Sequence, residues 1–92
     1  MTDNKYTTGT TSSGFSFSID RENLNDMEFI DLLGEAEEGD PLALSKAFTI
    51  ILGKEQKAKL YGHLKAIHGK VPVDVFINEM GEILSSGKEL KN

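Results

Sequence analysis

Phe15-Ser16-Phe17-Ser18-Ile19 decides the reading of the fold. Its strict alternation of apolar and polar residues places Phe15, Phe17 and Ile19 on one face of an extended strand and both serines on the other. A strand needs a neighbour, because its backbone N–H and C=O groups require a ladder. The rest of the chain offers no second segment with this pattern. The segment is therefore read either as an extended strap lying across helices or as an arm that pairs with another chain. Ahead of it, Met1 to Gly14 is rich in Thr, Ser and Gly with little that is apolar besides Tyr6. Such a stretch buries too little surface to offset the entropy of ordering it, which predicts a disordered tail over 1–14.

Downstream the period changes from two to that of a helix. Asn25 is placed to cap a first helix, with Glu28 at the capping-box position and Leu24 and Phe29 at the staple positions. Phe29, Ile30, Leu32, Leu33 and Ala36 gather on one side of this helix, with Glu28, Asp31, Glu35 and Glu38 on the other. Gly39 ends it. Asp40 then caps a second helix whose first position is Pro41, where the missing N–H costs nothing. Leu44, Ala47, Phe48, Ile50, Ile51 and Leu52 cover more than half of that helix, which makes it the central one, and Gly53 supplies its left-handed exit. A third helix is expected from Lys54 to His68, closing at Gly69. A fourth starts at Val71-Pro72 and carries Val73, Phe76, Ile77, Met80, Ile83 and Leu84 to about Gly87. Gly34, Gly62 and Gly81 interrupt these helices at about 1 kcal/mol each relative to Ala, a cost that either close helix crossings or local flexibility would explain.

The fold expected from this pattern is all-α: a compact bundle of about four short helices, with a flexible N-terminal tail and a short extended strap. The expected division is a disordered tail over 1–14, a helical domain over 15–87 and a short polar tail over 88–92.

With 92 residues and no cysteine, the chain can build one modest core without disulfides or thiolate-bound metal. No apolar run approaches the roughly 20 residues that cross a bilayer. The first residues lack the basic and apolar regions of a secretory signal, so a cytoplasmic protein is expected. The formal charge is −5, from ten basic and fifteen acidic side chains. That balance argues against nucleic acid and against anionic membrane surfaces as partners. The charge is also segregated. Asp20 to Asp40 holds nine acids and one base, whereas Lys54 to Lys70 holds five lysines and one acid. Such a surface can be a set of exposed pairs between neighbouring helices, or it can orient a partner or a second copy of the chain.

The residue inventory speaks against catalysis. His63 and His68 are five apart, share no helix face and fit no zinc motif. No serine sits in a nucleophile elbow, and the glycines punctuate helices singly instead of forming a phosphate loop. The acidic run Glu35 to Asp40 lacks the ligand order of a calcium loop. The lysine-rich third helix carries few side chains suited to base edges, and its Gly62 lies inside the helix, not in a turn before it. No catalytic, cofactor or metal-binding residue is assigned, and no cofactor is expected. The chain reads as a protein-binding module. Phe15, Phe17, Tyr61 and Val75 are its candidate contact residues, being apolar outside the main stripes or on an unpaired strand.

From Asp20 to Leu84 the sequence resembles the small tail assembly chaperones of long-tailed bacteriophages and prophages. The resemblance rests on Asp26-Met27-Glu28-Phe29-Ile30-Asp31-Leu32-Leu33, on Glu38-Gly39-Asp40-Pro41-Leu42-Ala43-Leu44, on Ile51-Leu52-Gly53-Lys54-Glu55-Gln56, and on Gly69-Lys70-Val71-Pro72-Val73. It implies a non-enzymatic protein that coats the helical tape-measure protein while tail-tube subunits assemble around it, with a longer frameshifted form in many members. It carries over no catalytic residue. Self-association stays open, and the alternative is a small acidic interaction or regulatory module, for example a phage-encoded inhibitor of a host protein.

Overall fold

The computed structural model describes residues 6–89, so the tail expectations for 1–5 and 90–92 lie outside the described residues. It overturns the all-α reading. Strand β1 (Tyr6–Thr10) and strand β2 (Ser16–Asp20) form a two-stranded antiparallel sheet, followed by a short 3₁₀ turn (Arg21–Leu24) and three helices: α1 (Met27–Glu37), α2 (Pro41–His68) and α3 (Val73–Glu89). The part of the expected tail from residue 6 to 14 is therefore ordered. What was read as a lone strap is the second strand of a hairpin.

Local chemistry explains the hairpin. Its register pairs Thr7 with Ile19 and Gly9 with Phe17. Gly14 donates its N–H to Thr11 O at 2.9 Å, and Thr11 donates to Phe15 O at 2.9 Å, closing a tight connection in which Gly14 takes φ 96°. A left-handed glycine at the end of a short loop is a standard way to join two twisted strands. Phe15, Phe17 and Ile19 point from this sheet into the core, along with Thr7.

α1 and α2 begin where side-chain oxygens cap them. Asp26, not Asn25, caps α1, its carboxylate accepting from Glu28 N at 2.9 Å. Asn25 is consumed upstream, closing the 3₁₀ turn through a bond to Glu22 O at 3.0 Å. Asp40 caps α2 by accepting from Leu42 N at 3.0 Å, with Pro41 in the first turn. The helix is broken at Gly53 (φ 81°, ψ 163°) and ends at Gly69 in the left-handed region. The two limbs, 41–52 and 54–68, fold back on each other. Lys57 Nζ binds Ser45 O at 2.9 Å, Ser45 Oγ at 2.7 Å and Thr49 Oγ1 at 2.9 Å across the break. Gly34, Gly62 and Gly81 do not mark close helix crossings, since a Cβ built on any of them would meet nothing within 4 Å.

The core lies between the hairpin and the helices. Phe48 is fully buried, and its ring meets Phe76 edge-on at 4.5 Å between centroids. Leu60, Leu64 and Ile83 are likewise at 0 % exposure. Polar bonds fasten the hairpin to the helices from three sides. Gln56 accepts from Ser18 N at 2.8 Å and donates to Ser18 O at 2.6 Å, which covers the outer edge of β2. His63 Nε2 lies 3.0 Å from Ser13 O, with its ring beside Phe15. Glu82 of α3 accepts two bonds from Ser12.

Candidate functional site

The tight turn 38–40 between α1 and α2 fixes where apolar side chains are left in the open. Gly39 takes φ 107°, and Asp40 starts α2 immediately afterwards. The last turns of α1 consequently face the first turn of α2, and the start of α3 closes the third side. Leu33, Ala36, Pro41, Leu44, Val73 and Ile77 line the resulting groove of about 370 Å³. A smaller hollow of about 200 Å³ continues from it, sharing Pro41, Leu44 and Val73 and adding Tyr61, Val71 and Phe76. Leu44 is the buried floor, while Val73 and Ile77 stand 57 % and 50 % exposed on the wall. Leu42, on the same first turn of α2 that supplies Pro41 and Leu44, is 71 % exposed.

Exposed apolar residues scattered singly are normal on a soluble protein; side chains gathered around one groove are not. The rim is anionic. Glu37 and Asp40 line the groove, and the exposed Glu35 and Glu38 lie on the same helix end. Asp40 is already committed to capping Leu42 N, which keeps its carboxylate at the rim. Apolar helix faces flanked by basic residues are one kind of surface that complements an apolar slot with an acidic edge. Among the described residues no group of three or more His, Cys, Asp or Glu is arranged to hold a metal ion. Nor is any helix among them long and apolar enough to cross a membrane.

The contact residues singled out from sequence are scattered. Phe15 and Phe17 are 7 % and 4 % exposed and sit in the chain's own core, so the face they were thought to offer a partner is filled from within. Val75 is half-buried and does not line the groove; it stands at a second cleft between the hairpin and α3. Only Tyr61 belongs to the site. Its ring stands edge-on to Phe76 at 5.4 Å, with the Lys57 ammonium 5.6 Å from its centroid.

Compared with known proteins, the chain matches no family model, no curated protein and no solved structure. The groove therefore has to be read from its own chemistry. Leu33, Val73 and Ile77 were legible only as members of helix stripes. The available signal was the width of those stripes: of the five apolar stripe positions Phe29, Ile30, Leu32, Leu33 and Ala36, only Phe29 is buried.

Proposed function

We propose that this chain is a non-enzymatic tail assembly chaperone of a phage or prophage, which holds apolar helical segments of a tape-measure protein in its groove during tail assembly. The observation that carries the reading is the groove itself: an apolar slot with half-exposed Val73 and Ile77 on one wall and acids on the rim. A tape-measure protein is a long helical client, and its apolar stripe is the surface that must be shielded before the tail tube encloses it.

The resemblance adds support through position. Three of the four segments on which it rests contribute to this one site: 26–33 supplies Leu33, 38–44 supplies Pro41 and Leu44, and 69–73 supplies Val71 and Val73. Holding an amphipathic client needs exposed apolar surface on a body that stays dispersed, and the net charge of −5 serves the second need.

The test is co-expression with a tape-measure protein, the long helical client this reading names. Soluble client is expected with the native chain, and aggregated client with a chain carrying Val73→Ser and Ile77→Ser. Equal client solubility with and without the native chain would sink the proposal.

A further inference from the structure

A second, chemically different cavity lies between the hairpin turn and α3. It is a cleft of about 880 Å³ whose walls include Ser12 and Ser13 of the turn and Asn78, Glu79, Glu82 and Ser85 of α3, with His68 nearby. We propose that this cleft binds a basic group, the guanidinium or alkylammonium end of an arginine or lysine side chain presented by a partner protein.

Two features point to a cation. The first is Glu79. Although this residue lines the cleft, it is only 3 % exposed, and its Oε1 has no hydrogen-bond partner. A carboxylate oxygen withdrawn from water without a donor is costly, and a buried polar atom left in that state calls for a missing partner. The second is the balance of charge. Glu79 and Glu82 are three residues apart on one helix and line the same cleft, whose described lining residues include His68 but no lysine or arginine. A cation entering the cleft would meet both acidic side chains on the one wall. Glu82 is held ionised, because the hydroxyl of Ser12 and then its backbone N–H donate to it and lower its pKa. A guanidinium or ammonium group brings several N–H donors at once. It can therefore satisfy Glu79 while still reaching the hydroxyls of Ser13 and Ser85.

The cleft also touches the apolar groove, since Ile77 lines both. A single partner helix could thus lay apolar side chains in the groove and place a basic one in the cleft. The cleft's chemistry is the same whatever protein fills the groove.

The experiment is an NMR titration of the intact, isotope-labelled chain with Nα-acetyl-arginine amide, using the neutral isostere Nα-acetyl-citrulline amide as control. Saturable shifts at the Ser12, Asn78 and Glu82 amides are expected with the arginine compound and none with citrulline. Glu79→Gln should weaken binding at least tenfold. Should that variant fold poorly, Ser85→Lys, at an exposed wall position, should compete with the arginine compound and weaken it by a similar factor. No saturable shift in the native chain would overturn the proposal, as would equal shifts with citrulline or unchanged affinity in a folded Glu79→Gln. Spermidine separates the sources of the cation. Tighter binding of this free polyamine than of an arginine-bearing helical peptide would assign the cleft to a small molecule and overturn the partner side chain.

Discussion

Ser12 and Glu82, 70 residues apart, are joined by two bonds: Ser12 N–H donates to Oε1 and Ser12 Oγ to Oε2, each at 2.7 Å. The pair ties the hairpin turn to α3, and both bonds favour the charged carboxylate, so the pKa of Glu82 in the fold lies below its ordinary 4.5. A depressed carboxylate contributes stability that is present above its unfolded pKa and lost as pH falls through the folded one. Glu82→Gln should therefore melt below the native chain at about pH 7, with the gap closing as pH drops below the ordinary carboxylate range. Thermal melts followed by circular dichroism at several pH values check this. A gap that does not change with pH would contradict the assignment.

Gly53 and Gly62 should respond in opposite directions to alanine. At φ 81° and ψ 163°, Gly53 occupies backbone space that other residues avoid. Gly53→Ala should destabilise by about 1–3 kcal/mol. Gly62 lies inside the second limb of α2 with nothing within 4 Å of a built Cβ. Gly62→Ala should stabilise by up to about 1 kcal/mol. Denaturant unfolding measures both.

Gln56 covers the outer edge of β2 through its two bonds to Ser18. Gln56→Ala leaves those half-buried backbone groups to water alone and should cost about 1–2 kcal/mol. Hydrogen exchange supplies the specific readout: the Ser18 amide should lose protection by a larger factor than amides on α3.

Groove and core should separate cleanly. Phe48 is at 0 % exposure and stacked edge-on against Phe76, so Phe48→Ala should cost about 3–5 kcal/mol. A domain of this size holds only about 5–15 kcal/mol in total, so that variant stands at the limit of folding. Ile77→Ser, at a side chain already half in water, should change stability by less than about 1 kcal/mol while weakening client binding about tenfold or more. Unfolding curves and pull-down with the client distinguish the two.

The helical half of the molecule was legible because its signals are local. Asp40 with Pro41, and Gly69 in the left-handed region, mark ends that depend on nothing distant. The hairpin was hidden for a packing reason. At the β1 positions facing the core, the apolar residue that would reveal an alternation is replaced by Thr7 and Gly9. Gly9 has to be small: a Cβ there would come within 2.9 Å of the Phe17 ring. The ring that fills the space thus erases the pattern that announces the strand. Leu33, Val73 and Ile77 are stripe residues left open for a related reason. A stripe residue is covered only if an element arrives to cover it, and the turn at 38–40 leaves that flank open. The Glu79 cleft had no sequence signal, because its turn and its helix meet only in the folded chain.

The hairpin also sets an order of events. Its two strands are neighbours in sequence and can pair within microseconds, as a short loop allows. Its fastenings sit far downstream, on Gln56, His63 and Glu82, so the hairpin precedes in sequence every residue that secures it. Until α3 has been synthesised, the apolar face of Phe15, Phe17 and Ile19 lacks part of its cover, and contacts of this span slow folding. Moving the hairpin to follow α3, by circular permutation, would shorten the Ser12–Glu82 closure and lengthen the Ser18–Gln56 one, so the Ser12–Glu82 tie should form earlier in refolding relative to the Ser18–Gln56 tie.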